Sequence, residues 1–327
     1  MPVKVQFIES ETKNASWEEI EEKYKEFKDL LNAPTFGLNP GAEREKIKSN
    51  VEISLQTLLK LALQKSTILL SDGDLEAALD GGLKTLELTQ DLYGTNSLHL
   101  VPIYLIIAKT SQSLGQYHQA EEFLSLANWT IVKLDVDVDA DIYAELYQTF
   151  GILYAVQRNL ELAIIHLSMS VYYMSLAHGP ENITTSLGYF NLGKVFAATG
   201  KVTVATDFFS KVQSIWYVEL KKSIIDKSDN AISPENYGLK QIMDANSMLT
   251  QVLQVQQEKY GDKHLNTARA QLVLGLFNTW KGDPLKGKKY LEDAAAIMKH
   301  TLGKDHASTV EAENILKDHF QSIKEDA

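Results

Sequence analysis

The sequence predicts an all-α protein built from repeated helical hairpins, and three observations carry that expectation. A punctuation mark recurs roughly every 42 residues, the apolar residues between marks keep helical spacing, and no segment alternates with period two for long enough to make a strand. The marks are Gly73, Gly115, Arg158, Gly200, Lys240 and Gly282, with successive spacings of 42, 43, 42, 40 and 42. Lys240 is the weakest of them. Five residues after each comes Ala78, Ala120, Ala163, Ala205, Ala245 or Gly287. Seven residues before the marks stand the small residues Ser66, Ala108, Gly151, Gly193 and Gly275. Nine after them stand Leu124, Leu167, Phe209, Leu249 and Leu291, with Gly82 the exception.

A second mark follows four of the turns by 21 residues, at Gly94, Gly179, Gly261 and Gly303. One unit is therefore helix A, a tight turn, helix B and a longer loop. Tyr104, Ile107, Ala108, Ser111 and Leu114 show the helical spacing inside a helix A. Small residues at fixed places let two helices approach closely, so each unit reads as a packed pair.

Taken in order, residues 1–53 are expected to hold a charged helix, Trp17 to Leu31, and a Pro/Gly-rich breaker from Asn32 to Gly41. This lead-in is either a solvated cap on the first repeat or an anchoring arm. Trp17, Tyr24, Phe27, Leu30 and Leu31 form the apolar stripe such an arm would bury. Residues 54–322 form the array, about six hairpins with a capping helix at the C-terminal end, and 323–327 are a tail. Within the array, Lys227 to Gly238 reads as loop where a helix A is due, because it carries Pro234 and polar turn residues. The helix after it, Leu239 to Tyr260, keeps its pattern.

Composition narrows the function. Of 327 residues, 44% are hydrophobic and 23% charged, as in folded globular chains. Against 32 basic residues stand 43 acidic ones, a formal net charge of −11 that gives nucleic-acid binding no electrostatic support. The absence of cysteine removes disulfides, thiolate zinc sites, iron–sulfur clusters and cysteine nucleophiles. The first fourteen residues lack an apolar core of signal-peptide length. The apolar runs, such as Leu100 to Ala108, fall short of the ~20 residues that span a bilayer. A soluble protein of a reducing or neutral compartment is expected, and the sequons at Asn14, Asn128 and Asn182 read as chance.

The small residue, the turn and the following Ala make the chain resemble the tetratricopeptide repeat (TPR) superfamily over about residues 55 to 322. The position where that superfamily often has Ala holds Ala127 and Ala294 but Thr85, Ser170, Val212 and Val252 elsewhere. The ~42-residue unit, with loops such as Tyr260-Gly261-Asp262-Lys263-His264 and Leu302-Gly303-Lys304-Asp305-His306, resembles the subtype of kinesin light chains. The resemblance implies a TPR-like α-solenoid. The segment Leu92 to Lys133 is similar to the TPR region of the ciliary MYND zinc-finger protein twelve family, which Tyr189-Phe190, Lys211-Val212 and Ile215-Trp216 echo. That likeness implies a scaffold of the ciliary or flagellar axoneme that supports motility. Its implied partners are a dynein heavy chain or other inner-arm component and a second TPR protein. The protein would be cytoplasmic when unassembled. The missing cysteines mean that this chain carries no MYND finger. The alternative is a soluble adaptor of the kinesin-light-chain or G-protein-regulator type. The first 53 residues are too short and broken for the coiled coil of the former.

No motif calls for catalysis, a cofactor, a metal or a small-molecule substrate. Gly188 to Lys194 matches a phosphate-loop spacing until Val195 replaces the required Ser/Thr, and it lies inside a helix A whose amides bond to one another. Asp135 to Asp141 imitates a calcium loop, but Ala140 replaces the turn glycine and Glu145 comes one place early. There, Asp139 or Asp141 is expected to cap the next helix. The eight histidines form no ligand spacing, and His264 and His306 share one repeat position, which points to structural duty.

What remains is a protein-binding surface, without nucleic acid or membrane. Counted on the repeat frame, helices A should face a concave groove with Leu105, Lys109 and Gln112, then Glu145, Gln148 and Ile152. Leu187, Phe190 and Lys194 follow, then Arg269, Leu272, Leu276 and Trp280. Lys60, Lys109, Lys194 and Arg269 would set positive charge on an apolar face, suiting a partner segment with apolar anchors and acidic residues.

Overall fold

The computed structural model describes residues 15–32, 41–134, 138–228 and 231–320. Among the described residues it is all-α, built of helical hairpins, with no strand. The helices are α1 (Trp17–Asn32), α2 (Gly41–Asp72), α3 (Leu75–Tyr93), α4 (Val101–Ser113), α5 (Tyr117–Leu134) and α6 (Ala140–Val156). They continue as α7 (Leu160–His178), α8 (Ile183–Ala198), α9 (Val202–Ile224), α10 (Leu239–Tyr260), α11 (Leu265–Trp280), α12 (Pro284–Leu302) and α13 (Ala307–Phe320). The chain divides into two compact units after Gln157.

The tight turns follow from one hydrogen-bond pattern. At Gly73, Gly115, Gly200 and Gly282 the backbone takes φ of 84, 77, 78 and 93°, the left-handed region that glycine enters without cost from a Cβ. The next amide then reaches back to a carbonyl of the finished helix: Asp74 to Leu69, Gln116 to Ser111, Lys201 to Phe196 and Asp283 to Asn278, at 2.8 to 3.0 Å. Arg158 holds the same conformation at φ 65° without being glycine. The sixth expected turn is absent. Lys240 is the second residue of α10, whose start is set instead at Gly238, where the N–H donates to Gln241 Oε1 at 3.0 Å.

Close packing explains the small residues. A Cβ added at Gly193 of α8 would lie 2.6 Å from Phe209 Cε1 of α9, and one at Gly275 of α11 would lie 2.6 Å from Leu291 Cγ of α12. The small residue before the turn and the large one after it are thus two halves of one contact. In unit 1 the equivalent Ala108 and Leu124 are both fully buried. The six side chains from Thr85 to Ala294 at the variable Ala position are buried as well, so their identity matters less than their size.

The N-terminal lead-in is not solvated along its stripe. Ile20, Tyr24 and Phe27 of α1 are buried in a cluster with Val51, Leu55, Leu58 and Ala62 of α2. Trp17 lies over α3, where a Cβ on Gly81 would come within 2.3 Å of its ring. Tyr24 Oη donates to Leu88 O at 3.0 Å and Asp91 Oδ2 at 2.9 Å, and Lys28 pairs with the same carboxylate. The neighbouring Gly82, the exception in the repeat pattern, makes room for Ile107 of α4. One expected boundary falls inside a helix. Residue 53 lies inside α2, which runs unbroken from Gly41 because its buried face continues from Val51 to Ala62. The breaker's residues 33–40 lie outside the described residues, as does the end of the array with the tail, 321–327.

Unit 2 departs from the repeat at the expected place. Residues 225–238 make no helix A beyond a single 3-10 turn at Pro234–Asn236, with residues 229 and 230 outside the described ones. With that helix missing, α9 packs directly on α11, which also pairs with α10 and α12. Phe209, Val212, Trp216, Leu249, Val252, Phe277 and Leu291 close this core, and Ala312 and Ile315 of α13 cap it.

Two predictions test this packing. Gly193→Leu should destabilise unit 2 by ~1–3 kcal/mol, read as a lower melting temperature, with part of the loss recovered when Phe209→Ala is added. An unchanged melting temperature would contradict the contact. The hydrogen bond from Lys28 holds the Asp91 carboxyl below its ordinary value; burial works against this and the Tyr24 hydroxyl reinforces it. A lowered folded pKa contributes stability above the unfolded value of ~3.9 that is lost as pH falls through the folded one. Asp91→Asn should therefore lose less stability than the wild type between pH 6 and pH 3 in urea titrations.

Candidate protein-binding surface

Helix starts account for several near-motifs. Asp139 Oδ1 accepts the Asp141 amide at 3.3 Å, so the acidic run ends in a cap; residues 135–137 lie outside the described residues. Asn182 Oδ1 accepts from Thr184 at 2.8 Å, and His264 and His306 accept through Nδ1 from Asn266 and Ser308 at 3.1 and 3.2 Å. An imidazole that accepts at Nδ1 carries its proton on Nε2, a capping geometry that occupies the nitrogen a metal would need. Gly188 to Lys194 lies wholly within α8. Among the described residues no three histidines or carboxylates gather as a metal site would require.

The groove candidates fall in both units. In unit 1, Leu105 is 1% exposed and belongs to the core, so it offers no side chain to a partner. Gln112 and Gln148 are half-buried. Lys109 is not a free cation, because its Nζ lies 2.6 Å from Glu145 Oε1 on α6. In unit 2, Phe190, Leu276 and Trp280 are buried, which corrects their reading as an apolar groove floor. Phe190 stacks at an angle on Phe209, ring centroids 6.0 Å apart, and Lys194 Nζ sits 5.3 Å from the Phe190 ring centre. Trp280 is covered by the segment that replaces the missing helix: Nε1 donates to Ile232 O at 3.1 Å, and Tyr237 meets its ring edge-on at 5.5 Å. The positional count failed where a helix A is absent, since a loop took over its packing. Lys194 and Arg269 remain exposed, and Arg269 forms no ion pair among the described residues.

The large exposed apolar residues lie elsewhere. On α7, Leu162, Ile165, Met169, Tyr172 and Leu176 recur at three- and four-residue steps, with exposures from 36% to 64%. Ala163, Leu167, Ser170 and Met174 of the same helix are buried. By length and composition α7 is long and apolar enough to cross a membrane, which corrects the expectation that no stretch is; its buried residues are those of a packed helix. On α5 of unit 1, Leu126, Trp129 and Val132 are exposed at 43%, 50% and 69%. Both faces escaped the positional count because it considered only helices A. The signal was present in the sequence: α7 is apolar nearly all round.

No family model matches the chain. Solved structures similar to it include BtubC (BKLC) from P. vanneervenii, at 15% identity over 87% of this chain and 92% of that one, TM-score 0.49. The TPR protein YrrB, described with an unusual peptide-binding site, is 16% identical over 78% and 91%, TM-score 0.31. The apo quorum sensor NprR from B. thuringiensis is 12% identical over 94% and 84%, TM-score 0.39.

Truncation separates core from surface. Trp280→Ala should cost ~3–5 kcal/mol as a buried aromatic does, whereas Lys109→Ala should change stability by at most ~1 kcal/mol as an exposed pair does. Chemical denaturation checks both, and a Trp280→Ala variant as stable as the wild type would return that residue to the surface.

Proposed function

We propose that this chain is a non-catalytic scaffold that binds other proteins. The observation that carries the reading is the α7 stripe: five large apolar side chains at helical spacing, standing in solvent on a helix whose other face is packed. Contiguous exposed apolar surface of this kind is what protein partners cover. The α5 face with Trp129 adds a second such surface in unit 1.

We infer the ciliary or flagellar axoneme as the place of action, with an inner-dynein-arm component or a second TPR protein as partner. This rests on the likeness of Leu92 to Lys133 to a ciliary family. Fractionation of demembranated cilia tests it: the protein should stay with salt-washed microtubules or leave with the dynein extract. Recovery only in the soluble cell fraction would instead favour a kinesin-light-chain-like or G-protein-regulator-like adaptor. Binding itself is tested by Ile165→Glu with Tyr172→Glu. Both residues are exposed, so melting should stay within ~0.5 kcal/mol of the wild type, while recovery of partners falls. Undiminished recovery would remove α7 as the binding face.

A further inference from the structure

Between α9, α11, α12 and α13, unit 2 holds an open cavity of about 270 Å3. Its polar side is formed by Gln213 and Tyr217 of α9, Arg269 of α11 and Glu311 of α13, and its apolar floor includes Leu272 of α11 and Met298 of α12. Gln213 is only 6% exposed, and its Nε2 has no hydrogen-bond partner. A buried amide donor left without an acceptor is costly, so a ligand acceptor there offsets that cost. Arg269 adds an exposed guanidinium that forms no ion pair among the described residues. Glu311 is already paired with Lys221; burial works against its charge, yet Lys221 holds its carboxyl below the ordinary range. Of the two charged residues that line the cavity, Glu311 is paired with Lys221 outside it, and Arg269 is the one left to meet a ligand.

We propose that this cavity receives a carboxylate side chain and its aliphatic neighbour from a partner polypeptide, an Asp or Glu beside a Leu-, Ile- or Val-type residue. The inference rests on the scaffold reading and names the chemistry the scaffold selects. Two donors of different kinds, an amide and a planar guanidinium fork, match the two oxygens of a carboxylate. Leu272 and Met298 provide the wall an aliphatic group needs. A phosphate dianion suits the site less well, since a single guanidinium and a carboxylate, Glu311, face it. The size agrees with one or two side chains, being below the ~300–1,000 Å3 of pockets that hold whole ligands.

The sequence contains three arginines, Arg44, Arg158 and Arg269, so the arginine Nε–H resonance of the site can be followed in the full chain by 15N NMR. The probes are the capped peptides Ac-Ala-Leu-Glu-Ala-NH2 and Ac-Ala-Leu-Gln-Ala-NH2, and free 4-methylpentanoate. The Glu peptide should shift the Arg269 Nε–H and the Gln213 side-chain amide saturably, and the neutral peptide should bind at least ~10-fold more weakly. Arg269→Gln should weaken the Glu peptide by a similar factor without changing helicity, and Arg269→Lys should weaken it less. Equal binding of the two peptides, or no shift at ~10 mM peptide, would overturn the proposal. Binding of 4-methylpentanoate as tight as that of the Glu peptide would assign the cavity to a free acid and overturn the partner assignment. Failure here with α7-dependent partner recovery intact removes this inference alone. Failure of the wild-type chain to recover any partner removes the scaffold reading beneath it.

Discussion

The structure depends on one contact repeated along the chain: a small residue late in helix A against a large apolar residue in helix B. At Gly193 and Phe209, and again at Gly275 and Leu291, a Cβ on the glycine would sit 2.6 Å from the facing side chain. Interiors packed to near-crystalline density have no slack to absorb such an atom. The left-handed turn between the helices brings the two halves together, because its reach-back hydrogen bond ends helix A and reverses the chain within two residues. Size at one position and turn geometry at another therefore act as a single constraint, and the rest of each hairpin follows from it.

The same constraint explains the exceptions. Gly82 stands where other repeats have a large residue, and Ile107 of the next hairpin occupies the space. Gly81 beside it receives Trp17, so the first hairpin is closed from outside by α1. In unit 2 the loss of one helix A is met in two ways. α9 packs on α11 directly, and the irregular segment around Ile232 and Tyr237 covers Trp280. Between α9, α11, α12 and α13 a polar cavity is left with Gln213 buried at its edge.

Electrostatics plays a local part. The ion pairs Lys28–Asp91 and Lys221–Glu311 each join a helix to one distant in sequence, α1 to α3 and α9 to α13. Both have partners that are partly exposed, so they align helices more than they hold them. The net charge of −11 is carried outside these pairs, which leaves the exposed faces of α5 and α7 as the apolar ground on an acidic protein.

The sequence by itself determined the all-α class, five of six turn positions, the helix boundaries around them and the break at 227–238. These are local: a left-handed glycine, a capping side chain and an apolar period of 3.6 residues act within a turn or two of the chain. Even the cap role of Asp139 and the structural duty of His264 and His306 were legible, since a cap needs only residues two positions away. Which side chains face solvent was decided only by the tertiary structure. Phe190, Leu276 and Trp280 occupy groove positions on the repeat frame, yet they are buried because a neighbouring helix or loop reaches them from far along the chain. Lys109 found Glu145 across a helix interface, 36 residues away. The Gln213 cavity joins side chains of α9, α11, α12 and α13, and no local pattern records which helices, distant in sequence, meet around one space.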